Sequence, residues 1–174
     1  MIEARTDDLN RIEELYKDCT LNLKERGIYQ WDDRYPSIST YISSIRNKCQ
    51  YIFEEDDTLI GSVILNESQS AEWDSVPWNY IDGKILIIHA LAISPVVQGK
   101  GYGQKVLELC ETHGANADYT VMRLDVFSEN QVAIRLYEKN GYRKVGEVTF
   151  PFKPEGHQNY YCYEKMLIRR KELI

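Results

Sequence analysis

The sequence has little of what marks several whole classes of protein. Its four cysteines, Cys19, Cys49, Cys110 and Cys162, lie far apart, with no CxxC pair and no zinc-type spacing. Scattered thiols of this kind fit a reducing compartment rather than a disulfide scaffold. Histidine is scarcer still. His89, His113 and His157 are isolated from one another, so no metal site is expected. An excess of positive charge is missing too: 21 Lys and Arg stand against 27 Asp and Glu, a net −6. Phosphate neutralisation needs a basic face, so a general nucleic-acid binder is not expected. No long apolar run exists either. The longest, Ile85 to Ile93, is interrupted by His89 and is too short to cross a bilayer. The opening residues Met1 to Asp8 are polar and do not resemble a secretory signal, and the expected location is cytoplasmic.

What is present is an ordinary globular balance, 43% hydrophobic and 28% charged residues, which argues against disorder across the chain. At 174 residues the expectation is one domain over 1–174, large enough to bury a core without staples. The charge is unevenly spread, −8 over residues 1–87 and +2 over 88–174.

Periodicity gives the element order. Ile2 to Arg5 reads as a short strand. Thr6 is a plausible N-cap for a helix with Leu9, Ile12, Leu15, Tyr16, Cys19 and Leu23 on one face, ended by Gly27. An aromatic-rich loop follows to Pro36, and Ser37 opens a second helix carrying Ile38, Tyr41, Ile42 and Ile45. Gln50–Glu55 and Leu59–Asn66 read as strands joined by a turn at Asp56-Asp57. Residues 67–84 have no clear period. Ile85–Ile93 is apolar on both parities, as in a strand buried on both faces. After a Gly-rich turn come a helix with Val106, Leu107, Leu109 and Cys110, a strand Val121–Phe127, a helix opened at Ser128–Asn130 and closed by Asn140-Gly141, and strands Val145–Phe152 and Tyr160–Ile168. The central β-α-β unit implies locally parallel strands and the hairpins antiparallel ones. The fold class is therefore α/β (α+β) with a mixed central sheet.

The strongest local signal is Gln98-Gly99-Lys100-Gly101-Tyr102-Gly103-Gln104, between a strand and a helix. Three glycines at alternate positions let backbone N–H groups converge on an anion at the positive end of a helix. A phosphate or pyrophosphate is the natural ligand. A Walker A loop needs Ser or Thr after Gly-Lys, and Gly101 stands there. A Rossmann fingerprint needs a third small residue where Gln104 or Val106 stands. Asp125 lies at a suitable distance for a ribose contact, but dinucleotide binding is the weaker reading.

Gln98, Gly101 and Gly103, within Ala90–Gly103, match a pattern of Gln or Arg, two residues, Gly, one residue, then Gly or Ala. In this the chain resembles the GNAT superfamily of N-acetyltransferases. A second stretch, Leu124 to Tyr142, resembles that family's next strand and helix, with Asn130 opening the helix and Tyr137 directly after Leu136. The resemblance extends to the element order over nearly the whole chain. It implies one GNAT-like domain whose sheet contains a splayed parallel strand pair flanked by helices.

The resemblance also assigns parts. Leu91, Ala92 and Ile93 would offer backbone N–H groups to the acetyl carbonyl and the pantetheine arm of acetyl-CoA. Gln98, Gly99, Lys100, Gly101, Tyr102, Gly103 and Gln104 would hold the pyrophosphate. Asn130 would contact the cofactor arm, and could equally serve as a plain N-cap. Tyr137 would be the acid that protonates the departing sulfur. His89, two residues before Leu91, shares its face in an ideal strand and is a candidate base, unless a bulge breaks that parity. A hydrogen-bonded histidine within the sheet is an equal alternative. Glu72 and Asp74 are further candidates, and deprotonation through water alone is another.

The acceptor pocket implied by the resemblance would draw on Tyr29, Trp31, Tyr35 and Trp73, where aromatics beside Asp32 and Asp33 could hold an ammonium group. Each of these rings could instead staple a loop to the core. The acidic first half would suit a cationic acceptor and the Gly-rich turn of the second half a polyphosphate. The activity implied is direct acetyl transfer from acetyl-CoA to a primary amine of a small molecule, peptide or protein. No metal, nucleic acid or membrane takes part, and a homodimer is compatible. A coenzyme A-binding sensor of the same fold is the alternative, and a nucleotide-dependent oxidoreductase is a more distant one.

Overall fold

The computed structural model describes residues 1–167. Its strands and helices are β1 (Ile2–Glu3), α1 (Leu9–Glu25), α2 (Ile38–Arg46), β2 (Gln50–Glu55), β3 (Thr58–Asn66), β4 (Ile85–Ile93), α3 (Tyr102–Asn116), β5 (Val121–Phe127), α4 (Gln131–Lys139), β6 (Arg143–Thr149) and β7 (Asn159–Met166). Hydrogen-bonded neighbours follow the order β1-β2-β3-β4-β5-β7-β6 in a mixed sheet. Its parallel pair is β4 with β5, in the register Ile85↔Val121, Leu86↔Met122, Ile87↔Arg123. This is the mixed α/β arrangement expected from the periodicity. Among the described residues no helix is long and apolar enough to cross a membrane, and no three side chains gather in a metal-binding group.

The chain divides into two compact units. The first comprises residues 1–65 and 89–106, and the second residues 66–88 and 107 onward. In the first unit, α1 buries the stripe that its spacing predicts: Ile12, Leu15, Tyr16 and Cys19. The helix starts where the Arg5 N–H donates to Asp8 Oδ2 at 2.8 Å. It stops in a Schellman turn, with Gly27 N–H donating to Lys24 O and Ile28 N–H to Leu23 O. At the N-cap of α2, Ser37 N–H donates to Thr40 Oγ1 at 3.2 Å. The β2–β3 hairpin turns at Asp56 and Asp57, both in the left-handed region.

In the second unit β5 pairs with β7 along its whole length, and β7 with β6. β6 is shorter than its hydrophobicity suggests and ends at Thr149, not Phe152. Pro151 has no N–H to donate, and Lys153 N–H bonds back to Phe150 O in a turn. Phe150 is buried and Phe152 exposed. β7 closes at Met166, while Ile168, in the expected strand, lies outside the described residues.

Residues 67–84 contain only a short 3-10 turn, Ala71–Ser75. They are held by an ion pair inside the second unit. Arg123 and Glu164 face each other across β5 and β7. The guanidinium donates to Gln69 Oε1 at 3.1 Å and to Tyr80 O at 2.8 Å, and lies 4.0 Å from the centre of the Trp78 ring. Glu164 accepts from the backbone and side-chain nitrogens of Asn79 at 2.8 and 2.7 Å. An insertion without periodicity is thus tied down by a buried charge pair whose remaining atoms, Arg123 Nη1 and Nη2 and Glu164 Oε1, it hydrogen-bonds, while Arg123 Nε and Glu164 Oε2 face each other without a hydrogen bond.

Candidate active site

The first unit contains a backbone reversal within β4. Ala90 has φ +48°, a conformation that costs a residue with a Cβ about 1–2 kcal/mol. It breaks the two-residue alternation, so His89 and Leu91 do not share a face in the manner of an ideal strand. His89, Ala90 and Leu91 are half-buried and Ala92 is buried. His89 is already engaged by neighbouring groups.

Surrounding groups fix this stretch. The Tyr16 hydroxyl donates to Ala90 O at 2.6 Å, and Cys19 Sγ donates to Ile93 O at 3.3 Å. Ser94 N–H donates to Ile60 O at 2.9 Å. A Cβ on Gly61 would stand 2.8 Å from Ala92 O, so only glycine lets β3 and β4 approach this closely. Burial pushes the Tyr16 hydroxyl well above its ordinary pKa, against the smaller opposing effect of the polar Gln50 and Ser62 side chains, so it remains a donor at any physiological pH.

The Gly-rich turn follows directly. Gly99 and Gly101 have φ +78° and +86°, and α3 begins at Tyr102 with Lys105 N–H donating to Gly101 O at 3.2 Å. No atom lies within 4 Å of where a Cβ would stand on either glycine. The residues are needed for their backbone conformation, and the space before them is open. Such a turn at a helix N-terminus can hold an anion through backbone N–H groups. Three side chains of the motif brace it. Gln98 Nε2 donates to Ile93 O at 2.9 Å, and Lys100 Nζ to Val96 O at 3.1 Å. The Tyr102 hydroxyl donates to Glu55, which Lys105 approaches at 3.3 Å. Gln104 also has partners.

In the second unit, Asn130 caps α4 by accepting from Ala133 N–H at 3.2 Å. Tyr137, on the same helix, is 7% exposed and packs against Tyr142 and Tyr163 at ring separations of 5.7 and 6.4 Å. Burial first, then the charge of Asp125, pushes the Tyr137 phenol well above its ordinary pKa. Asp125, read from the sequence only as a possible ribose contact, is a second group whose acidity the fold alters. Burial raises its carboxyl to about 6, Lys153 and the Trp73 indole pull it down, and Glu72 adds to the rise. The same carboxylate contributes, after burial, to lifting the Cys162 thiol to about 12. The available signal was a carboxylate within a strand otherwise mostly apolar.

The acceptor candidates differ in exposure. Tyr29 is exposed and Tyr35 half-buried. Trp31 is buried edge-on against Tyr16 with centroids 5.6 Å apart, and Trp73 is buried 5.0 Å from Trp78. Against the effect of burial, hydrogen bonds from Arg34 and from the Arg34 and Tyr35 backbones hold the Asp32 carboxyl below its ordinary range.

Comparison with known proteins gives the family. The sequence pattern of the Acetyltransferase (GNAT) family matches residues 9–142. The uncharacterized N-acetyltransferase YesJ of Bacillus subtilis is 30% identical over 128 residues, covering 71% of this chain and 70% of that protein. A GNAT-family acetyltransferase of Streptococcus agalactiae superposes with a TM-score of 0.80 at 21% identity, over 94% of this chain and 92% of the other. The Salmonella typhimurium protein YncA, solved with its cofactor acetyl-CoA, gives 0.69 at 18% identity, over 95% and 91%. At these identities the two solved structures speak to the fold alone.

Proposed function

The chain belongs to the GNAT family of acetyltransferases, and from that premise we propose that it transfers an acetyl group from acetyl-CoA directly to a primary amine. The observation that carries this reading is the sequence of features along one stretch: the reversal at Ala90, then an open glycine turn, then the start of α3. Thioester aminolysis needs a polarised carbonyl, a held polyphosphate and two proton movements. Acetyl-CoA supplies the activated acyl group. The N–H groups of Leu91, Ala92 and Ile93 are assigned to the acetyl carbonyl and pantetheine arm. The N–H groups from Gly99 to Gln104 are assigned to the pyrophosphate, with Gln98 and Lys100 stiffening the turn. Asn130 is assigned to the cofactor arm.

The proton balance needs one acid and one base. Tyr137, kept protonated by its surroundings, gives its proton to the departing sulfur. The amine must lose a proton before or during attack. Asp125, with its carboxyl near 6, is mostly ionised at neutral pH and takes that role, with His89 the alternative. Of the aromatic residues assigned to the acceptor, Tyr29 is the one whose exposed ring can meet a ligand directly. Trp31, Tyr35 and Trp73 support the walls. The free cysteines fit a reducing, cytoplasmic setting.

The test is a thiol-release assay with acetyl-CoA against a panel of small amines, amino acids and peptides. Acceptor-dependent release supports the reading. Tight binding of acetyl-CoA without release across the panel supports a coenzyme A sensor instead.

A further inference from the structure

We propose that Tyr16 is a positioning residue for acetyl transfer: its hydroxyl holds the Ala90 carbonyl and so keeps the reversed β4 backbone aimed at the thioester. The inference rests on the proposed function and adds a residue outside both motifs.

Five observations support it. Ala90 sits at φ +48° without the conformational freedom of glycine, so something other than local preference must hold it there. The Tyr16 hydroxyl's hydrogen bond to that carbonyl is short, 2.6 Å, and comes from a side chain 1% exposed. Tyr16 itself cannot swing away. Its ring stacks on Tyr41 at 4.8 Å with a 13° interplanar angle, and Trp31 packs edge-on against it. One turn further along α1, Cys19 reaches Ile93 O, so a single helix face grips β4 on both sides of Leu91.

The fifth observation is a buried polar chain beside the Tyr16 hydroxyl. Ser44 Oγ donates to Gln50 Oε1 at 2.6 Å, Gln50 Nε2 donates to Ser62 Oγ at 2.7 Å, and Ser62 Oγ donates to Tyr51 O at 2.9 Å. Gln50 and Ser62 have no exposed surface, and their polar side chains act on the Tyr16 hydroxyl against the effect of its burial. A core that only had to be filled would be served by phenylalanine and apolar neighbours. A satisfied polar network in the interior fixes a single geometry, and this one lies beside the Tyr16 hydroxyl that holds the peptide where β4 leaves its strand path.

The experiment is Tyr16→Phe in the full chain. It reads kcat and the amine KM in the thiol-release assay, the Kd for coenzyme A, and the melting temperature. A reversed peptide that drifts weakens polarisation of the acetyl carbonyl but leaves the pyrophosphate turn intact. The expected result is a fall in kcat of roughly tenfold or more, with amine KM and coenzyme A affinity within about twofold of wild type. A folded variant with wild-type kcat overturns the proposal. So does a loss of kcat matched by an equal loss of coenzyme A affinity, which is the mark of a merely structural role. Should Tyr16→Phe fail to fold, Gln50→Met replaces it. That change leaves Ser44 bonded to Thr40 O and Tyr41 O, and Ser62 to Tyr51 O. The same split of kcat from affinity is expected there, and an unchanged kcat overturns the proposal. A wild-type chain that transfers acetyl to no amine overturns the enzymatic reading and this inference with it. Transfer by wild type beside an unchanged Tyr16→Phe overturns this inference alone.

Discussion

Arg123 on β5 and Glu164 on β7 stand directly opposite each other, 3% and 1% exposed, with Nε and Oε2 3.8 Å apart. Every other polar atom of the pair that is bonded reaches into the 67–84 insertion. Removing one charge would strand the other in the interior. Glu164→Gln is therefore expected to lose about 3–5 kcal/mol, read as a fall in melting temperature on the order of 10 °C. A loss below about 1 kcal/mol would show that the pair behaves as a surface ion pair.

Asp125 yields a pH signature. Its carboxyl in the folded chain lies at about 6, above its ordinary 3.8. Its contribution to stability is therefore fully present below about pH 4 and is lost as pH rises through about 6. The ionised form is the costly one, by about 3 kcal/mol. Asp125→Asn mimics the protonated form, so the variant should exceed wild type in stability at pH 8 and converge with it near pH 4. Denaturant titrations at the two pH values check this. Its turnover should fall, and the acidic limb near pH 6 should vanish from the rate profile. A limb that persists in Asp125→Asn and disappears in His89→Gln would assign the base to His89.

Tyr137→Phe isolates the acid. The ring packs against Tyr142 and Tyr163, and phenylalanine preserves that packing. We expect turnover to drop by about 10²-fold, with acetyl-CoA affinity retained in a calorimetric titration. Unchanged turnover would remove Tyr137 from the mechanism.

Much of the frame was legible in the sequence because its signals are local. The bounds of β2, β4 and β5 follow from bounded apolar runs, and the ends of α1 and α4 from Gly27 and Gly141. The glycine turn announced itself for the same reason: only glycine takes those φ values without cost. The reversal at Ala90 was not legible, since alanine carries no mark of positive φ. It is imposed from outside by Tyr16, which is 74 residues away in sequence. The burial of Trp31 and Trp73 was hidden because an aromatic in a loop reads alike whether it faces a ligand or the core. Asp125 was hidden because its altered acidity comes from burial, which depends on the fold.

The central claim is acetyl transfer to an amine, and mass spectrometry of an acetyl-CoA reaction over an amine panel tests it most directly. The account predicts an acceptor heavier by one acetyl group, formed in step with free coenzyme A and suppressed in Tyr137→Phe. Bound acetyl-CoA with no acetylated amine from any member of the panel would contradict it.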